Sequence, residues 1–211
     1  MIEITNFMKN QLKDSKMDNF ILGLSGGIDS TVVLALAVEA VGRDHVKCYT
    51  MPYFDGLKST IKAIEIAEDY GVEIETISIK SIVDAYNVSD KYRLGNIMAR
   101  TRMTILYDKS MEHRGLVLNT CNLSEDLVGY ATKFGDAAGD IAPIAHLTKT
   151  EVYQLAEELY IKEIFINRVP SAELRSGQTD EQELGFTYKE LDTVIDLFKS
   201  SSDGLVGVIV S

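Results

Sequence analysis

The chain has 211 residues, 45% of them apolar, and a formal net charge of −11. That length and composition suit a single domain spanning 1–211 with its own core, and exclude a disordered segment. The acidic balance argues against a general nucleic-acid surface, which needs a basic face, and no apolar run approaches the roughly 20 residues of a membrane span.

The N-terminus, Met1-Ile-Glu-Ile-Thr-Asn-Phe7, lacks a basic stretch followed by an apolar core, so no secretory signal is read and a cytoplasmic location is expected. Residues 2–16 pattern as an amphipathic helix with Ile4, Phe7, Met8 and Leu12 on one side. Residues 20–24 read as a short buried strand. A helix follows from about Ile28 to Val41, apolar almost all round and therefore packed on several sides. Val46–Met51 is a second strand, stopped by Pro52. Cys48 within it and Cys121 further on have no metal spacing, so both are read as reduced thiols.

Residues 58–70 form a helix with an apolar stripe of Ile61, Ile64 and Ala67, ended by Gly71. Glu73–Ile79 alternates as a strand. Asn96–Met111 is helical, Leu116–Asn119 is a strand, and a short helix starts near Ser124. Thr148-Lys-Thr-Glu151 is a capping box opening a helix to about Leu159, and a last helix runs from Thr187 to Phe198. The order implies an α/β fold: a parallel sheet with helices on both faces, Rossmann-like. Ligands in such sheets sit at the carboxyl ends of the strands. The apolar run Gly204–Ser211 stops without a polar cap, and is read as packing into a partner or as running into a continuation.

The strand at 20–24 delivers Ser25-Gly-Gly-Ile-Asp-Ser30 into a helix start. Two glycines let the backbone approach a phosphate, and the first-turn N–H groups with the helix dipole attract the anion. Ser25 and Ser30 add hydroxyl donors. Asp29 repels phosphate and makes sense as a magnesium ligand that bridges to it. The loop is neither a Walker loop nor a dinucleotide Gly-x-Gly-x-x-Gly. It resembles the pyrophosphate loop of the N-type ATP pyrophosphatases, the adenine nucleotide alpha-hydrolase-like group, which cleave ATP between the α and β phosphates.

Further blocks choose within that group. Gly95-Asn-Ile-Met-Ala-Arg100-Thr-Arg-Met103, Asn119-Thr-Cys-Asn-Leu-Ser-Glu125, Lys133-Phe-Gly-Asp-Ala-Ala-Gly-Asp140-Ile-Ala-Pro143, Leu147-Thr-Lys149, Pro170-Ser-Ala-Glu-Leu174 and Gly177-Gln-Thr-Asp-Glu181 stand in register. Together they are similar to the ammonia-dependent NAD synthetases over about residues 20–195. The resemblance implies amidation of deamido-NAD by ammonia, driven by ATP through an acyl-adenylate, in a homodimer using Mg2+. It implies Asp29 and Glu125 as magnesium ligands. It implies ATP contacts from Gly23, Leu24, Ser25, Gly26, Gly27, Ile28, Asp29, Ser30, Thr120, Lys149 and Ser171. It implies deamido-NAD contacts from Arg100, Lys133 and Asp140, with Asp140 also a candidate to orient ammonia.

Taken one at a time, Arg100 and Lys149 read as solvated helix charges, Thr120 as a turn residue and Glu125 as a first-turn acid; only the joint register reverses this. Arg102, two residues from Arg100, is read as a structural ion-pair former. His45, His113 and His146 share no catalytic spacing and are read as surface or capping residues. At 211 residues no space is read for a glutamine amidase domain, so free ammonia, or ammonia from a separate partner, is the expected nitrogen source. Two loops, after Pro52 and between Tyr86 and Gly95, are shorter than the family's pattern. The family commonly ends in a His-Lys pair that helps hold deamido-NAD, and no such dipeptide occurs here. Two rival readings remain: another ATP pyrophosphatase with a different acceptor, and a nucleotide-binding regulatory module without turnover.

Overall fold

The structure is a computed structural model, and it describes residues 1–54, 58–166 and 180–200. Four parallel strands form one sheet: β1 (Asn19–Gly23), β2 (Val46–Thr50), β3 (Ile74–Thr76) and β4 (Gly115–Leu118), in the order β3-β2-β1-β4. The helices are α1 (Ile2–Ser15), α2 (Ile28–Val41), α3 (Lys58–Tyr70), α4 (Lys80–Asp84), α5 (Lys91–His113), α6 (Leu123–Val128), α7 (Lys149–Glu158), α8 (Glu163–Ile166), α9 (Asp180–Leu184) and α10 (Tyr188–Ser200).

Side-chain alternation along β1 sends residues into two separate cores. Phe20 and Leu22 join Val46, Cys48 and Leu118 in a core built with α1, α2 and α7. Ile21 joins Tyr49, Met51 and Val117 in a second core with Val83 of α4 and Met98 of α5. Helices therefore cover both faces, as an all-parallel sheet requires. The all-round apolar pattern of α2 has its reason here: Val32, Val33, Leu34 and Leu36 are all fully buried.

Several boundaries differ from the sequence expectation. β3 pairs only over Ile74–Thr76, because it is the sheet edge; Ile77 and Ile79 continue with single N–H bonds to the Thr50 and Pro52 carbonyls. The buried stripe of α3 is Ser59, Ala63, Ile66 and Ala67, while Ile61 is 55% exposed. The stripe lies one step round from the expected face, since small Ala63 lets α3 approach the sheet. α5 begins at Lys91, five residues before Asn96, because Asp90 caps it by accepting the Arg93 N–H at 2.9 Å. Short α4, α8 and α9 carry too few residues for a period to show. Gly204–Ser211 lies outside the described residues.

Candidate functional site

The chain runs outward from β1 through β2 to β3 on one side and then crosses back to β4 on the other, so the crevice between the ends of β1 and β4 is the sheet's switch point. A cavity opens there. Its wall includes Ser25, Gly27, Asp29 and Ser30 after β1, Thr120 and Cys121 after β4, and Lys149. Gly26 turns the loop with φ +78°, and a Cβ there would stand 2.8 Å from the Ser59 carbonyl of α3. Only glycine fits both demands. Gly27 then begins α2, and no side chain among the described residues caps it. The Ser25 and Ser30 hydroxyls lie 3.1 Å apart, and the Thr31 hydroxyl donates to the Gly27 carbonyl at 2.7 Å. The Gly27 N–H donates to Ser25 Oγ at 3.2 Å, so the loop is held within itself ahead of α2, and the first turn of α2, without a side-chain cap, is left as an anion-attracting end.

Three charged side chains meet at this loop. The Lys149 ammonium is 2.6 Å from Asp29 Oδ2 and 3.1 Å from Glu125 Oε1. Lys149 is only 2% exposed, which overturns its reading as a solvated helix charge. Asn122 caps α6, accepting the Glu125 N–H at 3.0 Å, and donates its amide to Asp29 Oδ1 at 3.0 Å. The Tyr188 hydroxyl donates to Asp180 at 3.2 Å and to Glu125 at 3.4 Å, and its ring lies 4.9 Å from the Lys149 ammonium.

One ammonium serves two carboxylates, so the cluster carries a net negative charge once both have ionised. Burial and the neighbouring Asp29 push the Glu125 carboxyl up to about 7 against the pull of Lys149. Burial alone lowers Lys149, yet the two carboxylates outweigh it and keep the ammonium charged. With both carboxylates ionised the site is short of positive charge, and Asp29 and Glu125, which already share the Lys149 ammonium, fit a hard divalent cation beside it. Among the described residues no group of three His, Cys, Asp or Glu side chains could hold a metal. Two carboxylates suffice for Mg2+, which completes its shell with phosphate oxygens and water.

The remaining sequence candidates divide. Gly23, Leu24, Ile28 and Thr120 line the cavity, whereas Gly26 packs behind it on α3. Ser171 lies outside the described residues. Arg100 and Lys133 are brought together, with Arg100 Nε donating to the Lys133 carbonyl at 3.2 Å, but neither is in the cavity wall. Nor is Asp140, whose Oδ2 accepts the Val117 N–H at 2.7 Å and ties the returning segment to β4. Gly139 permits this approach: a Cβ on it would meet Asn119 Cβ at 2.6 Å.

Arg102 points away from Arg100, as read, and its charge acts on the Asp136 carboxyl. It faces the cavity, with Nε donating to the Met51 carbonyl at 3.0 Å, while Arg100 points outward from the same helix. Spacing alone separates the two arginines and cannot say which one turns inward. Sequence reasoning also missed Asn122, Asp180 and Tyr188. Asn122-x-x-Glu125 is a capping-box signature and was legible; Asp180 stood in a quoted block with no role; Tyr188 carried no signal. His45 is exposed, with Nδ1 2.9 Å from the Asp18 carbonyl, and His146 is exposed too, in line with their surface reading.

The chain is similar to known proteins over most of its length. The NAD synthase family model matches residues 1–204. The NH(3)-dependent NAD(+) synthetase of Thermococcus kodakarensis is 43% identical over 197 residues, covering 91% of this chain and 77% of the relative. The NH3-dependent NAD synthetase structure from Campylobacter jejuni superposes with a TM-score of 0.81 at 33% identity, covering 97% of this chain and 84% of the other. An NMN synthetase structure from Francisella tularensis superposes at 0.87, also at 33% identity, covering 96% and 87%.

Proposed function

The chain belongs to the NAD synthase family, and from that premise we propose how its own residues carry the ATP-driven, ammonia-dependent amidation of deamido-NAD to NAD. It is a ligase that forms a carbon–nitrogen bond. The observation that carries the assignment of roles is the convergence of Asp29, Glu125 and Lys149 beside the uncapped start of α2.

A carboxylate resists ammonia because its oxygen is a poor leaving group. In the proposed course, the nicotinate carboxylate oxygen bonds to the α-phosphorus of ATP and the bond to the bridging oxygen breaks. Pyrophosphate leaves with the electron pair, and the loop from Ser25 to Ser30 receives it through N–H and hydroxyl groups. Ammonia then attacks the acyl carbon, AMP departs, and the new amide loses a proton to solvent. Asp29 and Glu125 hold Mg2+, which when bound spreads charge developing on the phosphates. Lys149 adds a point charge at the same place. Thr120 and Ser171 complete the ATP contacts. Arg100, Lys133 and Asp140 hold deamido-NAD, with Asp140 orienting ammonia. No side-chain nucleophile is assigned, since positioning and electrostatics suffice. A homodimer in the cytoplasm belongs to the same proposal, and sedimentation at micromolar concentration tests the dimer. No helix among the described residues is long and apolar enough to cross a membrane.

One observation favours a second reading. The superposition on an NMN synthetase makes the mononucleotide acid a rival acceptor. The decisive assay supplies ATP, magnesium and ammonium chloride with deamido-NAD, with nicotinic acid mononucleotide, or with neither. Pyrophosphate release that depends on deamido-NAD and yields NAD is the expected result. Dependence on the mononucleotide alone would replace the acceptor, and ATP binding without any release would sink the enzymatic reading.

A further inference from the structure

Glu125 and Lys149 stand in the first turns of α6 and α7, and both helices pack on α10. From α10 comes Asp192, a carboxylate only 3% exposed. Its Oδ1 accepts the Ser124 hydroxyl at 2.5 Å. Its Oδ2 accepts both the Thr150 N–H at 2.7 Å and the Thr150 hydroxyl at 2.6 Å. Ser124 Oγ in turn accepts the Lys149 N–H at 2.9 Å. One buried carboxylate therefore binds the residue before Glu125 to the backbone of Lys149 and Thr150.

A buried charge costs stability unless every lone pair finds a donor. Asp192 meets three donors, and its charge rests at the start of α7, where the helix dipole favours it. Starting that helix does not require it. The Thr148 hydroxyl already accepts the Glu151 N–H at 3.3 Å, and Glu151 Oε2 accepts the Thr148 N–H at 2.7 Å, a complete capping box. What Asp192 adds is the link between two helices that each bring one charged residue to Asp29.

We propose that Asp192, acting through Ser124 and Thr150, is a positioning residue that sets Lys149 and Glu125 at the spacing ATP meets. This rests on the assignment of those two residues to the ATP site. The clamp lies behind residues that touch phosphate or metal, and it is of the kind whose loss costs about tenfold or more in affinity.

The test compares Asp192→Asn, Ser124→Ala, the double variant, and Asp196→Asn on the exposed side of α10 as a control. Calorimetric ATP binding with magnesium is measured well below each melting temperature, together with KM for ATP and for ammonium. Asp192→Asn keeps the volume and an acceptor for Thr150 but sets an amide against Ser124. Expected are a weakening of ATP binding by about tenfold in each single variant, an unchanged KM for ammonium, and a double variant no worse than the worse single one. Asp196→Asn stays at wild-type affinity. Unchanged ATP affinity in the single variants, whatever their melting temperatures, would overturn the proposal, as would additive losses in the double variant. Should Asp192→Asn fail to fold, Ser124→Ala, which removes one hydroxyl, decides alone. Wild-type protein that binds ATP but amidates nothing would sink the functional reading and leave the comparison among variants standing.

Discussion

Two helix starts face the cavity, and they are built in opposite ways. α2 begins at Gly27 with no side-chain cap among the described residues. α7 begins with its first three N–H groups all taken, by Ser124 at Lys149, by Asp192 at Thr150 and by Thr148 at Glu151. A helix end without caps is an electrostatic hand held out to an anion, and a saturated one is a rigid mount. The same backbone geometry thus serves binding in α2 and positioning in α7. Side-chain chemistry at one or two residues decides which.

The comparison breaks most severely when the mount loses its charge. Lys149→Met leaves Asp29 and Glu125 facing each other without a cation, and turnover should fall by about 1,000-fold with weakened ATP binding in calorimetry. The reverse manipulation closes the open hand. Gly27 has φ −86° and ψ 164°, which any residue can adopt, and a Cβ there would stand 3.3 Å from Ser25 Oγ, so Gly27→Asp should fold after a small shift of that hydroxyl. Its carboxylate would cap α2 where phosphate belongs. ATP affinity should then drop by about tenfold or more while the melting temperature holds or rises.

A pH titration of the metal-free protein sharpens the electrostatic half. Glu125 is raised from 4.5 to about 7, so between those values the native state keeps a proton that the unfolded chain has released. Stability should therefore fall as pH rises through that window, by about 3 kcal/mol, and Glu125→Gln should flatten the curve in urea melts. The smallest expected effect is on the mount itself. Thr148→Ala removes one cap and should cost about 1 kcal/mol of stability, with ATP affinity near wild type because Ser124 and Asp192 still hold the first turn.

What the sequence disclosed follows the same division. The loop Ser25–Ser30 is local, and its glycines and helix start were readable because strand, turn and helix adjoin in the chain. The capping boxes at Asn122 and Thr148 are local too. The cluster of Asp29, Glu125 and Lys149 was nameable only through resemblance, since the Lys149–Asp29 bond closes over 120 positions and leaves no periodic trace. Arg102 was separated from Arg100, but a spacing of two on a helix does not say which of them faces the sheet. Asp192 reads as an ordinary polar residue on the last helix. The stripe of α3 was set one step off because Ala63, a small residue, marks close approach more faithfully than larger Ile61.

The long separations inside the cluster have a kinetic side. Asn122 reaches Asp29 across 93 positions, Lys149 across 120, and Asp192 reaches Ser124 across 68. Parallel strands and contacts of such high sequence separation fold slowly, because chain closure precedes the reward. During synthesis at roughly 5–20 residues per second, the loop at Ser25 leaves the ribosome many seconds before Lys149, and α10 follows later still. On the proposed roles, a nascent chain that already displays the phosphate loop still lacks the Lys149 charge and the Asp192 clamp, and its affinity for ATP rises as α7 and then α10 dock.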